Sequence, residues 1–174
     1  MGLDLDPVKI KIMDPEEGKG WSKAHADKVE QEYKQFLVLT QSYPDKAIVP
    51  TKDVDALWHQ HILDTMKYAQ DCDEIFGKFL HHFPYFGMRG EDDAQQLVAS
   101  AEETRALYKS DFGVDIALTA SECSSCGASS CAASSCGSSC SGYSPDYDDT
   151  DSIMKTNIRP SFQTTHQHLT AAAS

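Results

Sequence analysis

The 174-residue chain contains no run of 18 apolar residues, so no segment of it has the length and hydropathy of a membrane-spanning helix. It is also short of positive charge. Fifteen Lys and Arg stand against 27 Asp and Glu, leaving −12 with histidine neutral. A nucleic-acid or anionic-membrane partner calls for a basic stripe, and this balance speaks against both. The opening residues Met1 to Pro7 carry neither a basic n-region nor an apolar h-region, so a secretory signal is not expected there. Asp6 stands where the myristoylation pattern requires Ser or Thr. The expected setting is the cytoplasm. No phosphate loop, dinucleotide fingerprint or nucleophile elbow occurs, and no general base is nominated by spacing, so an enzyme is the less favoured reading.

Cysteine is nearly absent from the first 120 residues, which hold Cys72 alone. Beyond them the composition changes. Residues 121–142 comprise ten Ser, five Cys, three Gly, three Ala and one Glu, and a segment with so little to bury gains nothing from folding. The chain therefore divides into a helical domain, residues 1–120, and a flexible low-complexity tail, residues 121–174. Most of the acidity belongs to the domain, which has 22 acids and 13 bases.

Within the domain, apolar residues recur at helical spacing in three places. The first is Trp21 to Tyr43, with Ala24, Val29, Tyr33, Phe36 and Leu37 inward and Pro44 closing it. The second starts at Thr51 as N-cap, with Asp53 and Asp55 in a first turn that favours carboxylates. It then continues through Val54, Leu57, Trp58, His61, Ile62, Thr65, Tyr68, Ala69 and Cys72 until Gly77 ends or bends it. The third is Glu91 to Ser110, with Leu97, Val98, Ala101, Leu107 and Tyr108 inward. The linker Phe79 to Gly87 is too aromatic to be solvated and must fold back on the helices. Val8 to Met13 suits a short extended piece. The fold class is all-α: a small bundle of three main helices with an aromatic, histidine-containing linker.

Seven histidines stand out as three pairs and His25. His59 and His61 form a His-x-His pair, but on a helix residues i and i+2 point about 200° apart, so the two do not easily share one ion while that segment stays helical. His61 lies within the apolar stripe with Asp64 at i+3; His59 lies at its edge with Asp55 at i−4. Each Asp is placed to hydrogen-bond and orient an imidazole, as outer partners do in metal sites. The bland alternative is a buried His61 that satisfies its nitrogens on Asp64 or a backbone carbonyl. His81 and His82 arrive on the folded-back linker, so rings from both segments can converge in a pocket lined by Trp58, Phe83 and Tyr85. The candidate ligand set for a divalent transition metal is His59, His61 and His82, with Asp55 and Asp64 behind them. Cys72, about 16 Å along the helix from His61, reads as a small buried apolar residue. His166 and His168 read as part of a solvated end.

The tail cysteines Cys123, Cys126, Cys131, Cys136 and Cys140 have the spacing C-x2-C-x4-C-x4-C-x3-C. One C-x2-C can grip a tetrahedral ion, but no apolar shell surrounds it, so adaptable binding of zinc or copper is expected rather than a zinc fold. A helical domain ahead of a Ser/Cys-rich tail is also the layout of a precursor of a ribosomally made, Ser/Cys-modified peptide.

The run from Asp55 through Trp58, His59 and His61, a D-x-x-W-H-x-H block, followed by Tyr68, Asp71-Cys72 and Gly77, resembles the shared block of glycine-rich domain-containing proteins. The resemblance covers residues 20 to 115, and bacterial members often end in a similar Gly/Cys/Ser-rich tail. It implies that Asp55, Trp58, His59 and His61 act as a unit, and that His81 or His82 matches a histidine these proteins carry. It implies no reaction, since the family has no settled activity; the RNA-binding segments of its plant members are missing here. The reading is a metal-ion-binding protein, with a structural or protein-interaction module as the alternative; of partners, the sequence leaves room for an unknown protein.

Overall fold

The computed structural model describes residues 2–118. Five helices follow one another: α1 (Asp6–Met13), α2 (Lys23–Ser42), α3 (Lys52–Leu63), α4 (Thr65–Phe76) and α5 (Glu91–Phe112). Among the described residues there is no strand. The all-α class is borne out, with five helices where periodicity suggested three. Helices α1, α2 and α3 pack on one another, α4 packs on α3, and α5 lies on α2.

Two elements depart from expectation. Val8 to Met13 is helical, not extended: Pro7 sits in the first turn of α1, where its missing N–H costs nothing, and Val8 and Ile12, four apart, are buried. Ile10, between them in an apparent alternation, is 72% exposed. The long second segment breaks at Asp64, which leaves helical geometry (φ −82°, ψ 73°) and accepts the Lys67 N–H as the N-cap of α4. Because the axis changes there, Thr65 and Ala69 fall outside the buried stripe while Tyr68, Asp71 and Cys72 stay within it. Smaller shifts follow the same logic. Ala24 and Val98 are exposed, whereas Ala26, Leu39 and Thr104 are buried, Thr104 by accepting the Val49 N–H.

The helix ends follow their local chemistry. Thr51 caps α3 by accepting the Val54 N–H, and Gly77 and Gly113 take the left-handed conformation after α4 and α5. The core joins Leu5 and Ile12 to Tyr33, Phe36, Leu57 and Tyr108.

Beside this core a charge cluster ties α1 to α2. Lys9 and Lys34 lie 2.6 and 2.7 Å from Glu30, whose side chain is only 12% exposed. Burial pushes the Glu30 carboxyl up, but hydrogen bonds from Lys34 and Lys9 outweigh it and hold the group below the usual carboxylate range. A carboxylate held low when folded stabilises the fold above its unfolded pKa and loses that contribution as pH falls through the folded one. Glu30→Gln is therefore expected to cost about 1–2 kcal/mol at pH 6. In urea melts the gap to the wild type should close as pH falls from 5 toward 3; a constant gap would show that packing rather than charge sets the cost.

Candidate metal centre

The D-x-x-W-H-x-H block occupies the middle of α3, and the 3.6-residue period divides it between two surroundings. Trp58 and His61 face the core, at 7% and 1% exposure, whereas Asp55 and His59 share the outer side.

The inward half is a closed polar network. His61 Nε2 lies 2.8 Å from Asp71 Oδ2, and Nδ1 lies 2.9 Å from the Tyr33 hydroxyl. Facing a carboxylate, Nε2 carries the ring's proton, and Nδ1 then accepts from Tyr33. Lys67 completes the pattern at 2.9 Å from the same Asp71 oxygen. Burial pushes the His61 imidazole below its ordinary range despite the opposing pull of Asp71, so the ring is neutral at pH 7. Burial pushes the Tyr33 hydroxyl far above its usual value, so it stays a donor. With both nitrogens engaged and no open side, His61 has no lone pair to offer a metal. Asp64, placed by sequence behind His61, lies instead at the α4 cap, and Asp71 holds the ring.

The outward half meets the linker. His82 Nε2 is 2.9 Å from Asp55 Oδ1 and 3.1 Å from His59 Nε2; His59 Nε2 is 3.7 Å from the same oxygen. Asp55, His59 and His82 thus place one ligand atom each within 4.8 Å of one another. The side chains of His59 and Asp55 are 48% and 35% exposed, and that of His82 is 15% exposed. Of the sequence candidates, the structure brings together His59, His82 and Asp55 and leaves His61 and Asp64 apart. His81 lies tilted against the Phe79 ring at 5.0 Å and is exposed. Cys123, Cys126, Cys131, Cys136 and Cys140, with His166 and His168, lie outside the described residues.

His82 is positioned by aromatic packing and by its linker. Its ring meets Trp58 edge-on at 4.5 Å, and Trp58 packs on Phe36 at 5.0 Å. Trp58 Nε1–H donates to the Tyr68 hydroxyl at 2.9 Å, and that hydroxyl donates to the Leu80 carbonyl at 2.5 Å. Phe83 and Tyr85, expected beside Trp58, pair with each other at 5.5 Å, and Phe83 carries the Arg89 guanidinium at 5.0 Å. The linker closes where Asp93 accepts the Gly87 and Arg89 N–H groups and the Arg89 guanidinium. Gly87 is required there: at φ +87°, a Cβ would sit 2.6 Å from Leu97 Cδ2.

The UCP032817-like family matches residues 9–102, more than half of the chain and all of the Asp55–His59–His82 cluster. The chain belongs to this family. Among curated proteins, this UCP032817-like chain is similar to two from Arabidopsis thaliana. Glycine-rich domain-containing protein 1 is 33% identical over 85 residues, covering 47% of this chain and 10% of the relative. Glycine-rich domain-containing protein 2 is 35% identical over 102 residues, covering 53% and 13%. The relationship to glycine-rich domain-containing proteins suggested by the sequence is thereby shown, although the chain spans only about a tenth of the length of these relatives. No solved structure matches it.

Proposed function

We propose that this UCP032817-like protein binds a divalent transition-metal ion through His59 Nε2, His82 Nε2 and Asp55 Oδ1, leaving further coordination positions open to solvent. The convergence of those three atoms carries the reading. His82 Nε2 faces two acceptors at 2.9 and 3.1 Å, yet a neutral ring nitrogen holds at most one proton. One proton on His82 Nε2 can serve only one of these contacts, and a His82 Nε2 without a proton turns its lone pair onto the carboxylate oxygen. A cation at the centre turns all three lone pairs to use. With metal bonds of about 2.0–2.1 Å, neighbouring donors on one ion stand about 2.8–3.4 Å apart between octahedral and tetrahedral angles; two of the separations found, 2.9 and 3.1 Å, fall in that range and the third, 3.7 Å, lies just beyond it. Two imidazoles and a carboxylate suit zinc, iron(II) or cobalt(II).

In this reading the tail thiols Cys123, Cys126, Cys131, Cys136 and Cys140 take up zinc or copper(I) independently, in a reducing compartment such as the cytoplasm. The test uses the full chain beside a form with those five cysteines changed to Ser. Titrated with Co²⁺, the Ser form is expected to bind one equivalent with d–d absorption and no thiolate charge-transfer band, and the wild type to add that band. No Co²⁺ uptake by the Ser form would sink the histidine site; no added band in the wild type would remove the tail from the reading.

A second reading, a protein-interaction module, is favoured by Leu63 and Met66, 71% and 86% exposed on either side of the α3–α4 corner. Retention of fold with no metal in any form of the protein would leave this reading standing.

A further inference from the structure

Tyr68 lies on α4, touches none of the three candidate ligand atoms, and yet joins every element that carries them. Its hydroxyl accepts the Trp58 Nε1–H from α3 at 2.9 Å and donates to the Leu80 carbonyl at 2.5 Å, two residues ahead of His82. Its ring stands edge-on to His61 at 4.9 Å and to Phe79 at 5.1 Å, so both the helix and the linker close on it. Trp58, held at its nitrogen, in turn presents its indole to the His82 ring. His59 and Asp55 come with α3 itself, but His82 depends on where the linker runs, and only a fixed linker keeps His82 Nε2 near Asp55.

Resting on the metal reading above, we infer that Tyr68 is the positioning residue of the centre: its single hydroxyl, used once as acceptor and once as donor, fixes the linker against α3 and so sets the place of His82 relative to His59 and Asp55. A phenylalanine retains the ring and removes both bonds. Outer partners that orient metal ligands are worth about 10- to 100-fold in affinity, and a loss in that range is expected.

The test measures Co²⁺ affinity and visible absorption on the full chain with its five tail cysteines changed to Ser. Tyr68→Phe is expected to bind about 10- to 100-fold more weakly, with its bound spectrum shifted toward that of His82→Gln. Tyr108→Phe is the control for plain loss of stability. Tyr108 is also buried, and its hydroxyl donates to the Glu32 carbonyl in another part of the domain at 3.1 Å. It is expected to leave affinity and spectrum unchanged. If the parent binds Co²⁺ and Tyr68→Phe matches it in both readouts, the inference is overturned while the metal reading survives; equal losses in Tyr68→Phe and Tyr108→Phe overturn it as well. A parent that takes up no Co²⁺ defeats the metal reading and this inference with it. Should Tyr68→Phe fail to fold, Trp58→Phe, which removes the donor to Tyr68 but keeps a ring beside His82, is expected to weaken binding in the same direction; unchanged affinity there overturns the inference.

Discussion

His59→Ala is expected to reduce the affinity of the histidine centre for Co²⁺ by more than about 100-fold, since even outer partners of metal ligands are worth about 10- to 100-fold. The same change should leave stability within about 0.5 kcal/mol, as expected for an exposed surface substitution. His59 is nearly half exposed, and its ring meets His82 and Asp55. Removing it therefore takes a ligand and little packing. Two measurements check this: Co²⁺ titration of the form with Ser in place of the tail cysteines, and urea unfolding of the metal-free protein. Unchanged affinity would remove His59 from the ligand set. A large loss of stability without metal would instead make the pair of rings a packing device.

His61→Ala, two residues away, is expected to do the reverse. The ring is 1% exposed and satisfies Tyr33 on one side and Asp71 on the other. Truncation opens a cavity, and it strips the partner from a buried hydroxyl and from a carboxylate that is itself only 11% exposed. Large-to-small changes in cores and broken buried charge pairs each run to about 3–5 kcal/mol. Lys67 still faces Asp71, which keeps the expected cost to about 3–5 kcal/mol rather than the sum. A domain of this size has about 5–15 kcal/mol in total, so the variant should unfold at much lower urea. Affinity for Co²⁺, measured in the folded baseline, should change less than tenfold, because no ligand atom has been removed. A cost below about 1 kcal/mol would mean that the Tyr33–His61–Asp71 network does not hold the core together.

The contrast between these two histidines was legible in the sequence, because helical geometry alone sends residues i and i+2 to different sides. So was the start of α3 at Thr51 and the return of the aromatic linker toward α3. The break at Asp64 was not. Tyr68 and Cys72 continue the apolar spacing of Leu57 and His61 across it, so the periodicity carries no mark of the turn, and an Asp three residues after a His reads equally well as its partner or as a cap. Misplacing that turn also hid Asp71: on one continuous helix Asp71 lies about 15 Å along the axis from His61, whereas the corner brings it to 2.8 Å. Tyr33, 28 residues before His61, was legible as a core residue but not as its hydrogen-bond partner, which depends on how α2 crosses α3. In α1 the alternation of Val8, Ile10 and Ile12 masked a helix that the Asp6-Pro7 start already signals.

The corner at Asp64 also bears on the order in which the domain can assemble. It turns the His61–Asp71 and Trp58–Tyr68 contacts into closures of ten residues each, whereas His82 reaches Asp55 across 27. Short closures sacrifice little chain entropy, so the α3–α4 hairpin, with its histidine neutral and its tyrosine in place, can form as a local nucleus before the linker arrives. His82 then docks onto a surface already shaped for it, and on the proposed metal reading the ion would be captured late, on a finished scaffold.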